Sequence, residues 1–331
     1  MRTLIITDLH LNSKVAGLLE SQEAAILKIY NDECPSDVII MGDVFMHRKP
    51  SPSELLCFKR ILDHMALSEI VVLRGNHDSE TKADDGVTAL SVFDSISVNI
   101  ITHTFTDKLK ERVYIPHYEN EQTIITALEM VPKGFTVFGH FGYAGCLNSV
   151  GDADFGIPLS HFTAPTLLGH IHGFREGQGG LPEAHSRVIC LGTPYTTNYG
   201  EAFKENFYAI LDNDEDIVFK QPTSGPRHLV YPVEQVETNL EYINNPDYFT
   251  FLRVMIGINH TPIPYNDLEV GYIDVKYSPV FDEETVSTYS PERDLFSINE
   301  VIIKDYVDSA NSVIPTDSLM EGYRLLKDED Q

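Results

Sequence analysis

Ile70-Val71-Val72-Leu73-Arg74-Gly75-Asn76-His77-Asp78 reads as a buried strand running into a polar turn. Four consecutive aliphatic residues without polar alternation are what a strand covered on both faces requires. The turn spends a glycine and then presents an amide, an imidazole and a carboxylate in successive positions. Such groups are costly to bury without partners, so a strand that delivers them points to a site.

Outward from this stretch the pattern recurs in both directions. Leu4-Ile5-Ile6 leads to Asp8-Leu9-His10, and Val38-Ile39-Ile40-Met41 leads to Gly42-Asp43. Further on, Val137-Phe138 leads to Gly139-His140, and Leu167-Leu168 to Gly169-His170-Ile171-His172. In a layered α/β sheet, groups at the carboxyl ends of strands converge on one crevice. A Gly-Asp or Gly-His pair alone is common; five such islands, each behind a strand, form a constellation.

The chemistry follows from the donors. In an extended strand end, residues i and i+2 point the same way, so Asp8 with His10, and His170 with His172, can each face one ion. Asp43 has two oxygens with which to bridge two ions, Asn76 offers an amide oxygen, and His140 another imidazole. This mixed nitrogen and oxygen set, with no thiolate, suits manganese or iron better than a structural zinc cage. Two ions about 4 Å apart can bind a phosphodiester and stabilise its in-line displacement. His77 directly follows Asn76 and is read as the acid that protonates the leaving oxygen, or as a phosphate clamp, with Asp78 orienting it. His47 and Arg48 follow Asp43 closely enough to reach a bound phosphate.

The bulk properties frame these residues. At 331 residues the chain is long enough for one large domain and a smaller one. Its apolar runs fall far short of the ~20 residues a membrane span needs, and its start shows no charged-then-apolar signal pattern. A cytoplasmic protein with no membrane partner is expected. Cys34, Cys57, Cys146 and Cys190 form no C-x-x-C pair, against a structural zinc site or a disulfide framework. Net charge is −26, of which −9 falls on residues 1–200 and −17 on 201–331. A free-standing nucleic-acid binder shows a basic face, so this balance weighs against tight DNA binding by the lone chain. A phosphate substrate stays possible, because two divalent cations dominate the field of their own site.

Strands and helices alternate through residues 1–220, with helices expected at 18–30, 52–66 and 120–130, and strands at 97–102, 112–115, 186–191, 206–211 and 216–220 besides those named above. Residues 141–165 read as a long loop over the site. The turn-rich run Gln221-Pro222-Thr223-Ser224-Gly225-Pro226-Arg227 marks a boundary, and segments 248–256 and 270–277 suggest a small strand-containing domain beyond it. Ser297 with Glu300 opens a capping box for a C-terminal helix. The domains expected are 1–221, a cap at 222–296, and a helical segment at 297–331.

D-x-H, G-D, G-N-H-D, G-H and G-H-x-H, in this order, resemble the calcineurin-like metallophosphoesterase superfamily over about residues 1–220. The resemblance implies a four-layer α/β sandwich with a small α+β C-terminal cap. It also implies two metal sites: Asp8, His10, Asp43 and His172 at one, and Asp43, Asn76, His140 and His170 at the other. His77 matches the catalytic histidine. Within the superfamily the chain is most similar to SbcD-type DNA repair nuclease subunits, above all those of phage recombination. The matching stretches are Thr7-Asp8-Leu9-His10-Leu11, Gly42-Asp43-Val44-Phe45-Met46-His47-Arg48-Lys49-Pro50, Leu191-Gly192-Thr193-Pro194-Tyr195 and Tyr199-Gly200-Glu201. Met46 stands where that family often carries an acidic residue or a histidine. This likeness implies manganese, DNA as substrate, an SbcC-like ATPase partner bound by residues 297–331, a homodimer, and the host cytoplasm if a phage encodes the chain. A small-molecule phosphodiesterase or phosphatase of the same superfamily is the alternative that suits the acidic charge. A scaffold without catalysis is disfavoured by the intact donor set.

Overall fold

The computed structural model describes residues 2–146, 156–179, 186–212, 217–257 and 267–278. Its first sheet is built on β1 (Arg2–Ile6), β2 (Asp37–Ile40), β3 (Glu69–Leu73) and β4 (Val98–Ile101), all parallel. β1 also pairs antiparallel with β11 (Tyr208–Asp212), which carries β12 (Ile217–Lys220) at the edge. The second sheet runs β5 (Phe105–Asp107), β6 (Arg112–Ile115), β7 (Thr136–His140), β8 (Thr166–Gly169), β10 (Ser186–Cys190) and β9 (Arg175–Gly179).

The central strands are apolar throughout because both faces are covered, and the pleat sorts their residues by layer. Leu4, Ile6, Val38, Ile40, Ile70 and Val72 pack against α1 (Leu18–Glu33) and α2 (Pro52–His64). Their neighbours Ile5, Ile39, Met41 and Leu73 face the second sheet and meet Tyr114, Phe138 and Leu167. The far side of that sheet buries Val113, Val137, Leu168 and Val188 against Ile124 and Leu128 of α3 (Glu121–Glu129). Helix, sheet, sheet and helix thus stack as the expected four layers. α2 starts sharply: Ser51 Oγ accepts from Glu54 N (3.3 Å), Glu54 Oε2 accepts from Ser51 N (2.7 Å), and Pro52 occupies the first turn.

The third sheet is wholly parallel, with β13 (Gly225–Pro232), β14 (Tyr248–Gly257) and β15 (Tyr272–Ser278) in order. Short helices at Val233–Val236 and Leu240–Ile243 close its core over Leu229, Leu252, Val254 and Ile256. The turn-rich run expected at 221–227 therefore ends inside a strand: Gly225 and Pro226 sit in β13 because its pairing with β14 tolerates them at the strand's start. β5 and β9, not expected, are polar edge strands held by one neighbour each, so no apolar alternation announces them. The 141–165 loop carries a bridge between Tyr143 and Ile157 and a 3-10 turn at Leu159–His161. Residues 147–155 of it, and the capping box at Ser297 and Glu300, lie outside the described residues. Cys57, Cys146 and Cys190 are buried and Cys34 is exposed, and none of the four is in a disulfide. Among the described residues no helix is long and apolar enough to cross a membrane.

Candidate metal centre

The five islands meet at the carboxyl ends of β1, β2, β3, β7 and β8, where the two sheets face each other. Of their polar residues only His140 stands on a strand; the others lie just past one. Asp8, His10, Asp43 and His170 adopt positive φ angles of 53°, 44°, 48° and 82°. Asp8 and His10 therefore converge through left-handed turns, and not through the extended i, i+2 geometry expected from sequence. Non-glycine residues held there cost of order 1–3 kcal/mol each and persist only where the surroundings fix them. The fixing bonds are visible: Asp8 N donates to Gly42 O (3.0 Å), His10 N to Asp43 O (2.9 Å) and Leu11 N to Val44 O (2.8 Å). Thr7 Oγ1 and His170 N both donate to the Asp8 carboxylate, at 2.7 and 3.0 Å.

Among the described residues, three overlapping sets of side chains could hold a cation: Asp8, His10 and His172; His10, Asp43 and His77; and Asp8, Asp43 and His140. His10 Nε2 lies 2.9 Å from His172 Nε2 and 3.8 Å from both Asp8 Oδ1 and Asp43 Oδ2. On the other side of Asp43, His140 Nε2 is 3.3 Å from its Oδ1. Asn76 Oδ1 is 3.2 Å from His140 Nε2 and 2.9 Å from His170 Nδ1. Asp43 thus faces His10 with one oxygen and His140 with the other, and Asp8, His10 and Asp43 each belong to two of the three sets. Asp8, Asp43 and His140 are at most 2 % exposed.

The electrostatics fit divalent cations. Two buried carboxylates have only imidazoles as neighbours able to carry positive charge among the described residues, and buried charge needs compensation. Burial alone would raise the Asp43 carboxyl, but His140, His10 and His77 hold it well below the usual carboxylate range. Burial opposes a charged His140, yet the Asp43 carboxylate outweighs it and raises that imidazole to about 9. His10, by contrast, is driven down to about 4 by burial, which leaves it a neutral donor of the kind a metal requires.

Bonds to the other ring nitrogens aim these donors. His140 Nδ1 donates to Met41 O (2.6 Å) and His172 Nδ1 to Glu201 Oε1 (2.6 Å). Half-buried His77 stands edge-on to His10, ring centroids 5.0 Å apart, and its Nδ1 donates to Met46 O (2.7 Å). That corrects the expectation that Asp78 orients His77. The Asp78 carboxylate instead accepts from Gly75 N (2.9 Å), Phe45 N (3.2 Å) and Val44 N (3.3 Å). It ties the turn carrying Asn76 to the turn carrying Asp43. Burial and then the Asp43 charge push its carboxyl up to about 6.

Two flanking residues fall outside the cluster's contacts. His47 is exposed. Arg48 gives its guanidinium to Ser79 O (3.2 Å) and Thr81 O (2.7 Å), with Glu119 at 3.5 Å; it reaches a phosphate only by leaving them. Two residues near the centre were not foreseen. Glu201, 2 % exposed, was visible only as part of a family-like segment. His117 stacks on His170 with ring centroids 6.1 Å apart, and burial drives it down to about 3. Its signal was Val113-Tyr114-Ile115, another apolar strand with a histidine close behind.

A helix-sheet-sheet-helix sandwich with a carboxylate-bridged histidine and asparagine cluster at its strand ends defines a class, the metal-dependent phosphoesterases. The calcineurin-like phosphoesterase family matches residues 1–219, and the chain belongs to it. Hydrolysis of phosphoester bonds at a dinuclear divalent metal site is the activity of that family. Three solved structures are similar to the chain. The nuclease MPE of Pseudomonas putida is 13% identical over 66% of this chain and 87% of its own, with a TM-score of 0.33. A phosphodiesterase from an archaeon is 15% identical over 66% and 99%, with a TM-score of 0.35. The phosphoesterase Yfce of E. coli is 14% identical over 67% and 100%, with a TM-score of 0.36. No curated protein matches the chain.

Proposed function

We propose that this chain is the manganese-dependent DNA nuclease subunit of an SbcC/SbcD-like recombination and repair complex. The observation that carries the metal chemistry is the meeting of buried Asp8, His10, Asp43 and His140 with half-buried Asn76, His170 and His172 in one cluster, with His77 beside it. Asp8, His10, Asp43 and His172 would hold one ion; Asp43, Asn76, His140 and His170 the other. When bound, the two ions polarise the phosphoryl group and lower the pKa of the attacking water. His77, with Nδ1 fixed on Met46 O, has Nε2 left to give a proton to the leaving oxygen. Asp78 holds the turns that carry Asp43 and Asn76 in register; His47 and Arg48, in the loop after Asp43, are the proposed phosphate contacts, Arg48 on release from Ser79 O and Thr81 O.

DNA as substrate is supported by the likeness of Leu191–Tyr195 and Tyr199–Glu201 to SbcD-type subunits and by the separate third sheet. The net charge of −26 supports instead a small phosphodiester as substrate, or DNA held with the help of an ATPase partner at residues 297–331 in a homodimeric complex. The purified chain with manganese, offered single-stranded DNA, duplex ends and a chromogenic phosphodiester, separates these. Cleavage of DNA, alone or with the ATPase partner, supports the nuclease; cleavage of the small ester alone under both conditions supports the second reading.

A further inference from the structure

One short segment, Thr193–Glu201, touches the metal centre with one set of side chains and the third sheet with another. Toward the centre, the Glu201 carboxylate accepts from His172 Nδ1 (2.6 Å). Its remaining acceptor sites are filled from its own segment: Thr197 N (2.6 Å), Thr197 Oγ1 (3.1 Å) and Asn198 Nδ2 (2.8 Å). Toward the third sheet, Thr196 Oγ1 accepts from His228 N (2.7 Å) and faces His228 Nδ1 at 2.9 Å. The Tyr199 ring meets His228 edge-on at 4.9 Å. Its face is covered by the Arg253 guanidinium at 3.8 Å, which in turn is bonded to Asp274 (2.7 Å). His228 of β13 and Arg253 of β14 contact the segment directly, and Asp274 of β15 braces Arg253.

We propose that Glu201 is the positioning residue for His172, and that through this segment the docking of the third sheet sets the affinity of one metal subsite. A carboxylate on Nδ1 fixes the tautomer in which the Nε2 lone pair points into the centre, and raises its basicity. Nε2 of His172 does point there, 2.9 Å from His10 Nε2. Glu201 is held in place because its other acceptor sites are filled by Thr197 and Asn198, which lie in the chain between Thr196 and Tyr199, the two residues that contact the third sheet. A displacement of that sheet, as on engaging a partner or a substrate, would thus be felt at His172 and not at the Asn76, His140 and His170 side.

This inference rests on the metal-centre reading, and one calorimetric titration of the full chain with manganese tests the two separately. Wild type takes up two ions. E201L, which cannot accept the bond, weakens one of them by about ten- to a hundredfold and leaves the other unchanged. E201Q, whose amide oxygen still accepts from Nδ1, recovers most of that loss, and E201A, which also lacks the acceptor, serves as the reading should E201L fail to fold. T196V touches no metal ligand, and weakens the same ion several-fold. A merely structural role for Glu201 would lower the melting temperature of the metal-free protein while sparing the affinity. In a protein that binds two ions, unchanged affinities in E201L, or in E201A in its place, overturn the positioning role, and an unchanged T196V overturns the link to the third sheet. A wild type that takes up no ions overturns the metal centre itself, and this inference with it.

Discussion

His10 Nε2 and His172 Nε2 face each other 2.9 Å apart over the carboxylates of Asp8 and Asp43. Two imidazoles that share this position are drawn together most simply by a cation they both ligate. A ligand at a hundred times its Kd stabilises a fold by about 2.7 kcal/mol. Chelation should therefore lower the melting temperature by several degrees, and manganese should restore it; a scan unaffected by chelator would count against a bound ion.

Gly75 leaves no room for a side chain. A Cβ there would lie 2.1 Å from Asp43 Oδ1 and 2.3 Å from Asp43 N, so G75A must displace the residue shared by both halves of the cluster. Misplacement of a reacting group by an ångström costs about a hundredfold in rate. G75A should lose activity on that scale with manganese saturating, as steady-state hydrolysis of a chromogenic ester would read.

Asp78 joins the Asp43 and Asn76 turns through three backbone N–H groups. D78N turns an amide toward donors it cannot all satisfy, and an unsatisfied buried group costs about 1–3 kcal/mol. Urea denaturation should show a loss of that size, and activity should fall with it although Asp78 ligates nothing. A D78N protein of wild-type stability would contradict this role.

His228 is 7 % exposed, stacked on Phe251, and lowered by burial from 6.5 to about 4. The fold keeps it neutral while the unfolded chain takes up a proton, so its contribution to stability is lost as pH falls from 6.5 toward 4. The full span is on the order of 3 kcal/mol. Stability measured by denaturation at pH 7 and pH 5 should fall more steeply for wild type than for H228F; equal slopes would show that His228 titrates normally.

The residues legible in the sequence are those that follow apolar runs. Asp8, Asp43, Asn76 and His170 come just behind a strand buried on both faces, and His140 ends one; such apolar runs can be read without knowing the fold. How they converge was not legible, because left-handed turns at Asp8, His10 and Asp43 depend on bonds to chain segments more than thirty residues away in sequence. Glu201 was hidden for a related reason: its partner His172 is 29 residues earlier, and its segment has no strand pattern of its own. His117 was passed over because a lone histidine carries no motif. The orienting partner of His77 was misread, since adjacency favours Asp78 while the fold brings the Met46 carbonyl to its ring.

On the proposed mechanism His77 moves a proton and does not ligate the metal centre. The most direct measurement of this compares wild type and H77A for manganese uptake and for DNA cleavage in the same preparation. Cleavage reduced by about two to four orders of magnitude, the scale of general acid catalysis, with two ions still bound, is the predicted result. Loss of both ions, or cleavage at the wild-type rate, would contradict it.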